Sequence, residues 1–111
     1  MKTIILLLIT VTSFSAFAAD KCTTWGCIST IEELHTNANG DTYIGTPLDE
    51  TSANCTLISS NRFTLKSDAV NAKEIYSSLL AAYMSDSKIQ LRIIEGSAGC
   101  ELAYVRLSKT F

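Results

Sequence analysis

The chain has 111 residues, of which 47% are hydrophobic and 18% charged, and its formal net charge is −2. This length suits a single domain. The slightly acidic balance argues against a nucleic-acid-binding protein, which needs a basic face to displace counterions from phosphates. It also argues against a surface that adheres to anionic lipid.

Residues 1–18 are typical of a secretory signal peptide. Met1 and Lys2 give a positive start, residues 4–11 form an apolar run too short to span a bilayer, and Ala16–Ala18 has the small-x-small cleavage pattern. We therefore expect an exported bacterial protein, periplasmic or secreted, whose mature domain comprises residues 19–111. Loss of Lys2 makes the mature charge one unit more negative. No later apolar run is long enough to insert into a membrane.

The four cysteines of the mature chain predict two disulfides, because an even number of cysteines in an oxidising compartment is usually paired. We favour Cys22–Cys27, closing a short lead-in loop, and Cys55–Cys100, tying the third predicted strand to the fifth. The rival is a crossed pairing of the first two cysteines with the last two. Export and the absence of a Cys-x-x-Cys pair argue against a metal site or a redox enzyme.

Strand signals dominate the first half of the mature chain. Residues 27–36 are rich in β-branched side chains and predict a first strand. Asn39–Gly40 is a strong hairpin signal, and residues 42–46 predict the returning strand, closed by Pro47. Residues 55–65 predict either one bulged strand or two short strands.

The second half predicts one helix and two strands. Ser67–Asp68 resembles an N-cap region, the helix is predicted for about residues 69–84, and Asp86–Ser87 ends it. Strands are predicted for residues 89–94 and 100–107, on either side of a glycine-rich turn. The apolar stripe of the helix comprises Val70, Ile75, Leu79, Ala82 and Tyr83, at spacings of three and four.

The resulting order is strand, strand, strand, helix, strand, strand. It is the order of the OB-fold, a small and partly open barrel. We therefore expect a mainly β domain over residues 19–111, an OB-fold-like barrel with one helix, which is cross-linked by disulfides. The competing architecture is a small α+β sheet with the helix across one face.

Residues 75–89 carry a resemblance to a known family. An apolar helix that ends in Ala-Tyr plus an apolar residue, a polar turn with Lys88 and a strand resemble the long helix and following strand of cholera-toxin-type B subunits. The B subunit of subtilase cytotoxin is similar. The resemblance implies a secreted OB-fold domain that forms a pentameric ring and binds host glycans. The whole chain also resembles a group of small secreted proteins of marine and enteric proteobacteria.

The sequence departs from the cholera-type pattern at the last hairpin. In that family a tryptophan near this hairpin stacks on galactose, whereas residues 95–99 contain no aromatic side chain. The family's sugar site is therefore not carried over to this chain.

Three residues are candidates for ligand contact. Trp25 lies in the Cys22–Cys27 loop, where its ring is suited to stack on a sugar or to anchor a protein partner; the alternative is a tryptophan folded over the open end of the barrel. His35, the only histidine, is a candidate base, pH sensor or binding residue, or simply a solvated strand end. Asn39 lies at the hairpin tip, where it can meet a protein partner.

The sequence contains no recognisable catalytic arrangement. It has no Gly-x-Ser-x-Gly motif, and oxidised cysteines leave no Cys-His pair. Glu32 and Glu33 would point to opposite faces of a strand, and Glu95 and Glu101 flank a turn, which disfavours paired-carboxylate hydrolysis. We therefore predict no enzymatic activity, no cofactor and no metal.

The predicted function is that of a secreted, non-enzymatic binding module. The resemblance implies a toxin-B-like subunit that binds a glycan or receptor and forms a homo-oligomeric ring through its helix and strand edges. The alternative is a monomeric periplasmic accessory or inhibitor protein that binds another protein.

Overall fold

A computed structural model describes residues 3–12 and 19–111. Every strand and helix lies between Lys21 and Leu107. Residues 3–12 form no regular element, and their seven large apolar side chains are 77–84% exposed. Met1, Lys2 and the expected cleavage pattern at 16–18 lie outside the described residues. None of the helices in the described ranges is long and apolar enough to cross a bilayer.

The fold is mainly β with a single α-helix in the described part, which confirms the predicted class. Within the described ranges, five strands rather than the predicted three precede the helix, and two follow it. The seven strands form two antiparallel sheets, ordered β1-β2-β6-β7 and β3-β4-β5. An isolated parallel bridge between Thr64 and Glu101 connects β5 to the start of β7. The OB-fold itself stays a prediction. The elements are β1 Lys21–Thr23, β2 Gly26–Ser29, β3 Glu33–Thr36, β4 Thr42–Gly45, a 3₁₀ turn Glu50–Ser52, β5 Phe63–Leu65, α1 Ala72–Ser85, β6 Ile89–Ile93 and β7 Leu102–Leu107.

The first predicted strand is wrong as a single element. It breaks at residues 30–32, where Ile31 is buried and the Glu32 backbone N–H donates to the Gly45 carbonyl at 2.8 Å. Its first half, β2, pairs instead with β1 through a two-residue turn at Thr24–Trp25. The lead-in segment before the first predicted strand therefore contains the strand β1.

The predicted hairpin between β3 and β4 is present, although its turn differs from the two-residue type. The Asn37 side-chain oxygen accepts the backbone N–H groups of Asn39 and Asp41 at 2.9 and 3.1 Å. The Gly40 N–H donates to the Asn37 carbonyl at 3.0 Å. Of the Asn39–Gly40 pair only Gly40 has a positive φ, +85°, as in a turn followed by a single left-handed residue.

Of residues 55–65, only Phe63–Leu65 forms a strand. Ile58 and Arg62 bridge each other around a tight turn in which Ser59 and Ser60 have φ of 50° and 66°. This turn takes the place of the N-terminal part of the predicted strand.

The helix ends as predicted but begins later. Asp86 closes it in the left-handed conformation, with φ of 50°, and its N–H donates to the carbonyls of Ala82 and Tyr83. The N-cap is Asn71, not Ser67–Asp68. The Asn71 side chain makes no cap bond and donates instead to the Ala103 carbonyl on β7 at 3.1 Å. A tertiary contact thus replaces the expected cap.

The core lies between the two sheets and under α1. Ile75, Leu79 and Ala82 are its helical contribution, while Val70 is fully exposed and Tyr83 is 42% exposed. The predicted apolar stripe was therefore wrong at both ends. Each large side chain buried here contributes roughly 1.5–3 kcal/mol. The largest fully buried ones are Phe63, Ile44, Leu79, Ile89 and Leu91.

The structure contains the two disulfides that we favoured, Cys22–Cys27 and Cys55–Cys100. Cys22 and Cys27 are directly opposite each other in the β1–β2 hairpin. Cys55 and Cys100 are 45 residues apart in sequence, and the Thr56–Ala98 bridge lies beside them. The second disulfide therefore fastens the loop before β5 to the loop before β7.

Candidate functional site

Trp25, Arg92 and Tyr104 form a row across the outer face of the four-stranded sheet, called here the tryptophan row. Arg92 lies opposite Gly26 on one neighbouring strand and opposite Tyr104 on the other. Directly opposed residues present their side chains on the same face. The Arg92 guanidinium carbon lies 5.8 Å from the centroid of the Trp25 ring, over the ring. The row therefore has an arginine between two aromatic residues.

The row faces away from the core because buried and half-buried residues alternate along β6. Ile89, Leu91 and Ile93 are buried, and the two residues between them, Gln90 and Arg92, are only half-buried. Tyr104 on β7 is 47% exposed, and Trp25 is half-buried. These side chains are thus accessible while the strands that carry them are anchored from beneath.

The hairpin tip that carries Trp25 is held on both sides by backbone bonds. The Ile93 N–H donates to the Trp25 carbonyl at 2.9 Å, and the Asn54 N–H donates to the Thr24 carbonyl at 3.0 Å. The Cys22–Cys27 disulfide closes the hairpin behind the tip. A tip fixed in this way loses little conformational freedom on binding a ligand.

Gly26 allows β2 and β6 to approach each other closely beside the row. Its φ is +135°, and a Cβ at this position would lie 1.9 Å from the Leu91 carbonyl oxygen. A side chain is therefore excluded both by its own backbone conformation and by the neighbouring strand.

The outer face of this sheet carries positive charge that is not neutralised locally. Arg106 lies on the same face, with its guanidinium 5.2 Å from the Phe111 ring centroid. The exposed Lys21 is part of the same cross-strand row as Arg106. Among the described residues, the ion pairs are Arg62–Glu33, Lys66–Asp41 and Lys88–Asp20. Arg92 and Arg106 contact rings rather than carboxylates, which leaves their charge available to an anion.

No family model matches the chain, and no curated protein or solved structure gives a significant match.

His35 and Asn39 lie apart from the tryptophan row, on the β3–β4 hairpin of the other sheet. His35 is exposed, and its ring meets that of Tyr43 edge to face at 5.9 Å between centroids. Asn39 is exposed, and its backbone bond to Asn37 serves the turn. The structure thus brings these two candidates to one hairpin but does not bring them to Trp25.

Two carboxylates have pKa values below their ordinary range. The Ser67 backbone N–H, 2.8 Å from Asp41, and the Lys66 ammonium, at 3.4 Å, lower the pKa of Asp41. The Thr51 hydroxyl and N–H lower the pKa of Asp49. Both groups are held as anions that fix loops. Within residues 3–12 and 19–111, no three His, Cys, Asp or Glu side chains are grouped as metal ligands.

A groove of about 350 Å³ lies between the end of α1 and the end of β7. Its size falls within the range of ligand sites, but Ala81, Ala82 and Ser85 offer it small side chains and no aromatic ring. Lys88, on its rim, is paired with Asp20 at 2.9 Å. The tryptophan row offers a ligand more recognition chemistry than this groove does.

Sequence reasoning identified Trp25 but missed Arg92 and Tyr104. The alternation in residues 89–94 indicated that Arg92 faces outward. Its place beside Trp25, however, depends on the registers of β2, β6 and β7, which no local pattern specifies.

Proposed function

We propose that the mature chain is a secreted, non-enzymatic binding module that holds an acidic carbohydrate on the tryptophan row. The observation that carries this proposal is the Arg92 guanidinium between the Trp25 ring and Tyr104, which forms no ion pair with any residue in the described ranges. The proposal agrees in kind with the glycan binding implied by the toxin-B resemblance, but it places the ligand on a different surface.

The chemistry of the row suits a sugar that carries a carboxylate or a sulfate. Aromatic rings offer apolar faces to the C–H faces of a sugar, and the tyrosine hydroxyl adds a polar contact. A guanidinium presents a planar fork of donors that matches two oxygens of an anionic group. Lys21 and Arg106 extend the positive face beyond the row, so a longer acidic chain would gain further contacts.

The two disulfides support a location outside the cytoplasm, because such bonds persist in oxidising compartments and are rare in reducing ones. We include export through the signal peptide of residues 1–18 in the proposal. A glycan on a cell surface or in the periplasm would be accessible to a protein in that location.

Trp25 makes the proposal directly testable, because it is the only tryptophan of the chain. Its fluorescence therefore reports on the tryptophan row alone. We expect a saturable change in emission when oxidised residues 19–111 are titrated with oligosaccharides containing uronate, sialate or sulfate. Neutral oligosaccharides of the same length should give a much smaller change, and added salt should weaken the acidic ones.

Calorimetry with variants distinguishes binding at the tryptophan row from nonspecific binding elsewhere on the protein. Arg92→Gln should remove the preference for acidic over neutral sugars, and Tyr104→Ala should weaken binding about tenfold or more, as for a central contact residue. Tyr83→Ala is the matched control, since Tyr83 is 42% exposed and Tyr104 is 47% exposed, and it should leave the affinity for a monovalent oligosaccharide unchanged.

Two results would overturn the proposal. One is the absence of any saturable response across a broad array of acidic glycans. The other is a response that Arg92→Gln and Tyr104→Ala leave intact. Capture of a protein partner that is lost with the same two substitutions would instead support the accessory or inhibitor function, since Trp, Tyr and Arg also dominate protein interfaces.

A further inference from the structure

The helix α1 has a second apolar stripe that the domain does not cover. Its members are 38–74% exposed and occupy positions i, i+4, i+7 and i+8 of the helix: Tyr76, Leu80, Tyr83 and Met84. Residues at these spacings share one face of a helix. We call this group the exposed stripe.

The exposed stripe is distinct from the stripe that packs on the core of the domain. The buried residues Ile75, Leu79 and Ala82 precede Tyr76, Leu80 and Tyr83 by one position each. One residue corresponds to a rotation of about 100° around the helix axis. The helix is therefore apolar well beyond the width that its own domain uses.

Three serines on the polar side of α1 donate hydrogen bonds to the helix backbone. The hydroxyls of Ser77, Ser78 and Ser85 donate to carbonyls four residues earlier in the helix, at 2.9, 3.2 and 2.7 Å. The hydroxyl protons on this side of the helix are thus already used within it.

We propose that the exposed stripe binds the same stripe of a second copy of this chain, with the two helices antiparallel about a two-fold axis at Leu80. Tyr76 and Tyr83 lie four residues before and three residues after Leu80. An antiparallel pair centred there sets Tyr76 of each copy level with Met84 of the other, one residue beyond Tyr83, and packs the two Leu80 side chains together. A two-fold interface of this kind is self-complementary and closed.

The charges at the ends of α1 favour this arrangement over others. Lys73 is exposed one turn before the first residue of the stripe, and Asp86 is exposed just after its last residue. An antiparallel pair centred on Leu80 brings Lys73 of each copy level with Ser87 of the other, one residue or about 1.5 Å beyond Asp86. Antiparallel helices also place the positive end of each dipole beside the negative end of its neighbour. A parallel pair would instead set Lys73 beside Lys73 and Asp86 beside Asp86.

This inference does not rest on the proposed sugar binding, since the exposed stripe and the tryptophan row share no residue. It differs from the ring implied by the toxin-B resemblance, because a ring needs two different complementary surfaces on each subunit.

The first test is the mass of oxidised residues 19–111 by sedimentation at two concentrations. We expect a dimer that dissociates on dilution. Leu80→Asp should give a monomer with unchanged circular dichroism. Val70→Asp is the matched control, because Val70 is an exposed apolar residue outside the stripe, and it should leave the dimer intact. A monomer at every concentration, or a stable mass of five subunits, would overturn the proposal.

The second test addresses the position of the axis. Leu80→Cys should cross-link to itself with a short bismaleimide, whereas Val70→Cys should not. Tyr76→Cys should cross-link to Tyr83→Cys in a mixture but form few dimers alone. Lys73→Glu should weaken dimerisation about threefold to tenfold, and addition of Asp86→Lys should restore it, as for an interfacial charge pair. Self-linking of Tyr76→Cys at the efficiency of Leu80→Cys would exclude the antiparallel register.

Discussion

Arg62 forms an ion pair with Glu33 across the width of β4, its Nη2 lying 2.9 Å from Oε1. The strand between them carries Gly45, which lies opposite Glu33. Extending the β4–β5 register by one residue places Arg62 on the other side of Gly45. A Cβ on Gly45 would lie 3.4 Å from the Glu33 Cβ, an ordinary contact, so the two long side chains meet over a residue that has no side chain of its own.

We expect a small coupling energy between Glu33 and Arg62. Their side chains are 45% and 29% exposed, and pairs in such positions are worth about 0.5 kcal/mol and weaken with salt. Urea unfolding of Glu33→Gln, Arg62→Gln and the double variant gives the coupling directly. A coupling above about 2 kcal/mol, the range of fully buried pairs, would contradict this view of the pair.

Substitution of Gly26 should be far more damaging than substitution of Gly96. Gly26→Ala sets a Cβ against the Leu91 carbonyl oxygen, and we expect a loss of about 3 kcal/mol or more in unfolding free energy. Gly96 also has a positive φ, +80°, but a Cβ there meets nothing within 4 Å. Gly96→Ala should therefore cost only its backbone strain, about 1 kcal/mol. Equal losses in thermal or urea unfolding would show that the β2–β6 contact tolerates a side chain.

The two disulfides should contribute unequally to stability. On the loop-entropy estimate, the 45-residue separation of Cys55 and Cys100 corresponds to about 4 kcal/mol, and the 5-residue separation of Cys22 and Cys27 to about 2 kcal/mol. Paired Cys→Ser variants, unfolded in urea, measure each contribution. A larger loss on removal of Cys22–Cys27 would mean that native-state contacts at the hairpin tip outweigh loop entropy.

Asp41 should stabilise the fold at neutral pH and lose this effect in acid. Its pKa is lowered in the folded state from the ordinary 3.8, so its contribution is complete above that value and disappears as the pH falls through the folded pKa. Asp41→Asn keeps an acceptor for the Ser67 N–H but removes the charge. We expect it to destabilise the protein by about 0.5–1 kcal/mol at neutral pH, and we expect this deficit to shrink as the pH is lowered towards about 2.

Urea unfolding at the two pH values provides this comparison. Asp68→Asn, at an exposed position in the following turn, is the control and should have no effect at either pH. A deficit of Asp41→Asn that persisted unchanged in acid would assign its effect to shape rather than to charge.

The elements with local signals were the predictable part of this fold. Asn39–Gly40 marked its hairpin because only a few residue types tolerate the turn backbone, and Asp86 marked the helix end for the same reason. The break at Ile31 and the late helix start at Ala72 depend on tertiary bonds, from Glu32 to Gly45 and from Asn71 to Ala103. Such bonds join residues far apart in sequence and leave no local pattern.

The candidate site also has one part that local sequence predicts and another that depends on tertiary structure. A lone tryptophan inside a small cysteine loop is conspicuous, which is why Trp25 could be singled out. Arg92 and Tyr104 resemble ordinary outward-facing strand residues until the registers of β2, β6 and β7 are known. The exposed stripe was hidden for a different reason. Tyr83 completes the helical spacing of the buried stripe, and only packing shows which apolar residues of the helix the sheets cover.

The Cys55–Cys100 bond makes a covalent ring of the chain between these two residues, and β5, α1 and β6 all lie inside that ring. A protease that cuts any bond within it therefore opens the ring without releasing a fragment. Under non-reducing electrophoresis the nicked protein would run with the intact chain, and two pieces would separate only after a thiol is added. In a protease-rich extracellular fluid, a single cut in the exposed turn after the helix would thus leave the domain in one piece.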